Sequence, residues 1–507
     1  MQNPRPRARR SRYGYSSRLG RSAPAVIAIV FLAGVLFGAS LAVVRTLDFL
    51  HRVVNLNNPV TLIQQAVDPP AGSIAYKLKY GQPVNILVLG YGGPENDAPF
   101  LTDSILAVSI APGGKRVMEA SIPRDLYVRI DGWEDGRVYT EKINTAFAVP
   151  ADPAQFPGSK RPPYQGKDGP GHLAEDTVTT VTGIHFDKYL AVDFRAFRDS
   201  VDALGGVEVH MDSALDDCHY PDYHDGYVNH GVPVGVPCPP GAGIHFKAGD
   251  YSVNGEQALE IARSREAVQP DQATDFGRSR RQQMIVQAIR RKAVSANGLL
   301  KAPQLMDALQ QDFKTDMDLN DLRALYASGA QLPDSAILRV ALTNQDLLQE
   351  FYQQRGSCGP DFEYVLCALD PSYRYLRHYF DPANTFIAPE VLQEQAPVQI
   401  LNGIAGNEDI DDRVTRSLMP LGLNLAAPAA VNQTSLAKTV IYDYSGGAFP
   451  QTAQWLANYF DGAPVIPAVA AGPGVQPSPV PVRGQSTTGL VVVLGRNFYA
   501  QFLGLTQ

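Results

Sequence analysis

The 507 residues hold no GxSxG elbow, no HExxH pair, no Ser-His-Asp order and no Walker lysine. Those absences remove the elbow hydrolases, the helix-borne zinc peptidases and the P-loop nucleotidases. Gly 44 and Pro 39 come without a three-residue period, which excludes collagen, and no internal repeat is present. Charged residues make up 19% against 45% hydrophobic, a globular balance that excludes a mostly disordered chain. Positive charge is also scarce outside one tail. Residues 1–21 hold seven arginines and no acid, and the whole chain has 44 basic and 51 acidic side chains. The other 486 residues therefore carry 37 basic against 51 acidic, a net of −14. Such a body repels a phosphate backbone, so no nucleic-acid partner is expected.

What is present begins with a 22-residue run without charge, residues 23–44. As a helix it spans roughly 33 Å, enough for a bilayer's hydrocarbon core. The basic tail before it places residues 1–22 in the cytoplasm and the bulk outside, as a single-pass cell-membrane protein. A cleaved signal peptide is the rival reading, with Gly38-Ala39-Ser40 as its site, but the run exceeds an ordinary h-region. Cysteine is rare, at four residues. In an exported body, Cys218 with Cys238 and Cys358 with Cys367 form the simplest of three pairings. His219, His224 and His230 crowd the first pair, yet match no zinc template.

The length calls for two or more folded units. Residues 45–80 read as a stalk. Strands are expected at 84–89, 104–110, 117–122, 189–194 and 207–211, with helices at 173–182, 197–204, 254–263 and 275–293. Loops are expected at 149–171 and across the irregular insertion 212–245, and 299–348 reads as helical. This alternation argues an α/β catalytic unit, 81–300, with a mixed central sheet flanked by helices. A helical and irregular connection, 301–395, leads to a smaller C-terminal α/β unit, 396–507. That unit has strands at 398–402, 439–444 and 490–494, helices at 410–421 and 452–459, and a loop at 463–488.

Gly90-Tyr91-Gly92-Gly93-Pro94 after the first strand is a weak phosphate-loop signal. The arginines say more. Arg263 and Arg265 lie two apart, and Arg278, Arg280 and Arg281 follow Asp275. Asp275, Arg278 and Gln282 share one helix face, and arginines at a helix start suit phosphate oxygens. Solvated arginines or a local Asp275–Arg278 pair would look the same in sequence. Arg124-Asp125 at a strand end and Lys142-Ile143-Asn144 add to the phosphate reading, because ligands of α/β sheets bind at strand ends. Asp103 and Asp97 offer hard oxygen ligands for Mg²⁺ or Mn²⁺.

These segments also carry a resemblance. Thr102-Asp103-Ser104, Ser121-Ile122-Pro123-Arg124-Asp125, Lys142-Ile143-Asn144 and the run 275–283, in that order, resemble the LytR–CpsA–Psr family. Val192-Asp193-Phe194, 202–207 and 255–259 fall between them as expected, and the tail from about 397 is similar to the family's attached C-terminal domain. The resemblance implies a phosphotransferase that moves a glycopolymer from a polyprenyl diphosphate carrier to peptidoglycan. It places Asp103 on the metal. It places Arg124, Lys142, Arg263, Arg265, Arg278 and Gln282 around the diphosphate, with Asp275 holding the arginines, and Arg281 is a further substrate-binding candidate. Asp125 is the candidate general base, an ion pair with Arg124 being the alternative. Two positions depart: Tyr91 stands where the family has an acid, and Phe100-Leu101 where it has an arginine. A non-catalytic carrier-binding protein and a simple pyrophosphatase remain the alternatives. A transcription regulator is disfavoured by the anchor and by the lack of a helix-turn-helix pattern.

Overall fold

The computed structural model describes residues 69–94, 96–218, 220, 243–264, 266–273, 275–293, 313–318, 320–321, 324–325, 328, 332–351, 364–404, 409–427, 436–468 and 489–503. The expected anchor at 23–44, Arg265, Cys238, Cys358 and the three histidines of the first cysteine loop lie outside them. Among the described residues no helix is long and apolar enough to cross a membrane.

Strand β1 (Val84–Tyr91) is a near-continuous apolar run because both its faces are covered. It pairs antiparallel with β2 (Thr102–Ile110), which pairs antiparallel with β3 (Val117–Ile122). A two-stranded ribbon, β4 (Tyr127–Ile130) and β5 (Tyr139–Lys142), follows. β6 (Lys188–Asp193) joins β1 in parallel. β7 (Val207–Met211) pairs with β10 (Gly249–Val253), and β8 (Leu215–Asp217) with β9 (Ile244–Phe246), at the two ends of the long insertion. The main sheet is completed by β11 (Phe313–Thr315) and β12 (Ile337–Ala341), giving the mixed order β11-β6-β1-β2-β3-β12.

The stretch 299–348, expected to be helical, thus supplies both edge strands. Their three and five residues are too short to display a strand period, and pairing with β6 and β3 decides their conformation. The sheet therefore runs past residue 300. The loop expected at 149–171 is also shorter than read: α2 (Thr145–Ala151) reaches past Pro150, and α3 (Gly169–Thr182) begins at Gly169. The end of the stalk is docked as well, since α1 (Ile74–Lys79) has its Ile74 amide on Asp321 Oδ1 at 3.0 Å.

Two apolar layers sandwich the sheet. Leu87, Leu89, Tyr91, Ile105 and Ala107 face α2 and α3. Ile86, Leu106 and Val108 face α4 (Phe194–Ala203), α5 (Gly255–Arg263) and α6 (Asp275–Ala293). Asp193 caps α4 by accepting the Ala196 amide at 2.7 Å, and Asn254 with Gln257 forms a capping box on α5.

After β13 (Leu348–Phe351) and β14 (Val365–Ala368), α7 (Arg374–Phe380) leads into a second sheet. Its strands are β15 (Pro397–Asn402), β16 (Asn424–Leu425), β17 (Val440–Asp443), β18 (Val465–Pro467) and β19 (Leu490–Leu494), in the order β16-β15-β19-β17-β18. β18 falls inside the stretch read as loop. Helices α8 (Ile410–Leu418) and α9 (Pro450–Tyr459) bury Val414 and Leu456 against this sheet. The two sheets share one core: Leu89 and Phe147 belong to the same apolar cluster as Ile400, Leu456 and Val492. The region 364–395 stitches them, with Arg116 Nη1 donating to Ile387 O at 2.6 Å and Arg377 Nη2 to Thr180 O at 2.7 Å. Cys218 and Cys367 are each in a disulfide.

Candidate functional site

The ladders bring four strand ends together. Tyr91 ends β1 opposite Thr102 at the start of β2, and beside Asp193 at the end of β6. Ile122 ends β3 opposite Ile105. Everything the sequence places at these termini therefore meets on one rim of the sheet.

The chain leaves β3 through Pro123, and Arg124 ion-pairs with Asp103 of β2. Arg124 Nε also lies 3.4 Å from Asp125 Oδ2, and Lys142 Nζ lies 3.3 Å from Asp125 Oδ1. Asp125 is 7% exposed, whereas the Asp103 side chain is 38% exposed, so the first is held inside the cluster and the second opens to solvent. Backbone bonds fix the frame. The Asn144 amide donates to Arg124 O at 3.3 Å, the Thr102 amide to Asn144 O at 3.2 Å, and the Leu366 amide to Asp125 O at 2.9 Å. Asp103, Arg124, Asp125 and Lys142 are thus one constellation.

Gly93 has φ +77°, and a Cβ there would stand 2.9 Å from the Asp193 Cβ, so the loop after β1 lies tight against the end of β6. Arg263, at the end of α5, lays its guanidinium 4.1 Å from the ring centroid of Phe194, the residue after Asp193. Asp97 is exposed in the loop after β1.

The α6 residues divide. Gln282 Nε2 donates to Ala262 O at 3.3 Å, and Arg278 is half-buried. Arg281 is 3% exposed and is occupied by the protein itself. Its Nε donates to Ile261 O at 2.8 Å, Nη1 to Gln272 O and Oε1 at 2.8 Å each, and Nη2 to Ser264 O. Burial and the neighbouring Arg278 bring its pKa down to about 10, which still leaves it charged. The Asp275 side chain lies outside the described part.

One member carries no sequence signal. Lys314 of β11 places its ammonium 5.5 Å from the centroids of Tyr91 and Phe100 and 5.6 Å from that of Phe147. Burial lowers its pKa, while Asp193 acts in the opposite sense. Its importance comes from rings at three distant positions, which no local pattern encodes.

Among the described residues no group of three His, Cys, Asp or Glu side chains converges as a metal cage. A Mg²⁺ ion bound to phosphate needs only one or two carboxylates from the protein, and the half-open Asp103 fits that more modest role.

Fold and rim together define an α/β protein with a mixed sheet and a cluster of ion-paired charged side chains across its strand ends. The chain belongs to the LytR_cpsA_psr family, whose model matches residues 51–356. It is 28% identical over 249 residues to the polyisoprenyl-teichoic acid–peptidoglycan teichoic acid transferase TagU of Oceanobacillus iheyensis. That match covers 49% of this chain and 63% of the relative, less than two thirds of its length. The TagU of Bacillus mycoides is 26% identical, covering 58% of this chain and 77% of the relative. The crystal structure of Bacillus subtilis TagV is 24% identical with a TM-score of 0.42, covering 59% of this chain and 96% of that one.

Proposed function

We propose that this protein is a membrane-anchored phosphotransferase that moves a glycopolymer from a polyprenyl diphosphate carrier to a peptidoglycan hydroxyl. The observation that carries the reading is the Asp103–Arg124–Asp125–Lys142 constellation on the strand-end rim. The transferase names of the relatives support it. A diphosphate has two anionic centres, and a hydroxyl attacks one of them only when that charge is offset.

Asp125 anchors both cations by its two oxygens, so Arg124 and Lys142 are presented at a fixed spacing. Arg124 exchanges Asp103 for a phosphate oxygen when ligand enters, which frees the Asp103 carboxylate to hold Mg²⁺ or Mn²⁺. A Mg²⁺ or Mn²⁺ ion held by Asp103 would offset negative charge on the diphosphate. Arg263, Arg278 and Gln282 flank the ligand. A bond forms from the acceptor oxygen to the phosphorus bearing the sugar, and the bridging P–O bond to the prenyl phosphate breaks. Asp125 is the candidate acceptor for the hydroxyl proton.

The test uses the full-length chain in detergent with a synthetic polyprenyl diphosphate-linked sugar, Mg²⁺ and peptidoglycan fragments. Mass spectrometry should find prenyl phosphate and a new phosphodiester, both lost in Arg124→Ala and Arg278→Ala. Tight binding without either product would instead favour a carrier-binding protein. Tyr91 gives that second reading its one specific support, being buried against Phe147 at 5.2 Å between centroids where the resemblance calls for an acid. Release of phosphate without the phosphodiester would make the protein a pyrophosphatase.

A further inference from the structure

The constellation on the rim has two acids, Asp103 and Asp125, and two bases, Arg124 and Lys142, so those four side chains are charge-neutral together. A neutral cluster orients an anion but does not by itself attract one. Cations beside it, Arg263 and Arg278 among them, add positive charge, which Asp193 on the same rim partly offsets, so a further cation there bears directly on anion binding.

Lys314 fits that role in three respects. First, it sits on the correct rim. Tyr91 pairs with Thr102, Phe100 lies three residues before Asp103, and Phe147 is on the helix that begins directly after Asn144. Each ring under the ammonium is thus tied to a segment of the constellation. Second, it points into the sheet's apolar face. Lys314 is opposite Ala191, which is opposite Leu89, and both of these belong to the core layer under α2 and α3. A lysine in that layer is a poor choice for packing alone, because the charge is partly withdrawn from water. Third, its donors are idle. An ammonium has three N–H groups, and among the described residues neither a carboxylate nor a hydrogen-bond acceptor stands within bonding distance of this one. Ring faces stabilise the charge but accept no strong hydrogen bond.

We propose that Lys314 is a further ligand-binding residue, whose ammonium, framed by Tyr91, Phe100 and Phe147, binds a phosphate oxygen and adds a cation to the rim. The inference rests on the diphosphate reading and deepens it. The rings hold the ammonium at one place and leave its donors for the anion, so less order is lost on binding than for a lysine in solvent. This also gives the chain its own answer to Phe100-Leu101: the cation reaches the rim from a different strand.

The test measures the affinity of the full-length chain for two probes in the presence of Mg²⁺, inorganic pyrophosphate and a short-chain prenyl diphosphate. Lys314→Met keeps the length and suits an aromatic surround. Lys314→Gln is the second neutral variant should Met disturb the packing, and Lys314→Arg keeps the charge. Loss of one charge-assisted bond predicts about 10- to 30-fold weaker binding of both probes in Met and Gln, and near wild-type binding in Arg. Equal affinity in all four proteins, with Arg124→Ala still losing binding, would overturn the role. A loss confined to the prenyl probe would overturn it too, because that reports packing around a tail and not charge. If the wild-type chain binds neither probe, the diphosphate reading itself falls, and this inference with it.

Discussion

Arg124 and Asp103 are 21 positions apart in the chain and form an ion pair between the second residue beyond β3 and the second residue of β2. On the proposed function, a diphosphate and a metal ion would each have to compete with this pair. Asp103→Asn removes both the ion-pair partner of Arg124 and the carboxylate proposed for the metal. Prenyl phosphate release should fall by about 100-fold or more, with the remaining rate insensitive to Mg²⁺. A rate that keeps its metal dependence would count against Asp103 as the metal's residue.

Arg124→Ala acts on stability as well as on the ligand. Asp125 is buried and would keep Lys142 as its partner while losing the guanidinium. Stability should drop by about 1–3 kcal/mol in urea unfolding, alongside loss of pyrophosphate binding. Arg124→Lys should recover part of the stability, and an unchanged urea midpoint in the alanine variant would show that the pair contributes little.

Arg281 should behave as an architectural residue. Its guanidinium satisfies the carbonyls of Ile261 in the last turn of α5 and of Ser264 and Gln272 between α5 and α6. Arg281→Ala strands those groups, and we expect a loss of about 3 kcal/mol or more. Lysine cannot reproduce the planar fork, so Arg281→Lys should rescue little of it. Thermal unfolding of both variants checks this, and a lysine variant as stable as wild type would contradict it.

Glu175 on α3 offers a pH test away from the rim. Burial first, then Asp316 and Asp176, push its carboxyl up to about 8, and its Oε1 is buried with no hydrogen-bond partner among the described residues. The folded state therefore holds this proton more tightly than the unfolded chain, whose carboxyl titrates near 4.3. By linkage, this group's contribution to stability falls as pH rises from about 4.5 to about 8. Glu175→Gln removes that slope, so its Tm advantage over wild type should widen between pH 5 and pH 8.5. Parallel Tm profiles would rule the effect out.

Several strands were readable because their signals are local. β3, β7 and β19 run Val117–Ile122, Val207–Met211 and Leu490–Leu494, the bounds that apolar runs between turn residues imply, and α6 begins at Asp275 as its amphipathic stretch does. The edge strands were not readable. β12 pairs with a strand about two hundred residues earlier, and nothing in Ile337–Ala341 itself separates strand from helix. The site divides along the same line. Arg124, Asp125 and Lys142 lie at strand ends and could be nominated from position. Arg281 and Lys314 take their roles from three-dimensional neighbours, one from carbonyls beyond a turn and the other from scattered rings.

The strand order also sets a schedule for synthesis. β1, β2 and β3 leave the ribosome early and can pair as a meander, but β3 keeps a bare edge until Ile337–Ala341 emerges. The edge of β6 waits likewise for Phe313–Thr315. For more than a hundred residues of elongation the nascent sheet exposes unpaired backbone on both sides, the condition in which chains join edge to edge. Lys314 arrives with the strand that ends this interval on the β6 side, so the charged rim is completed only as that edge is closed.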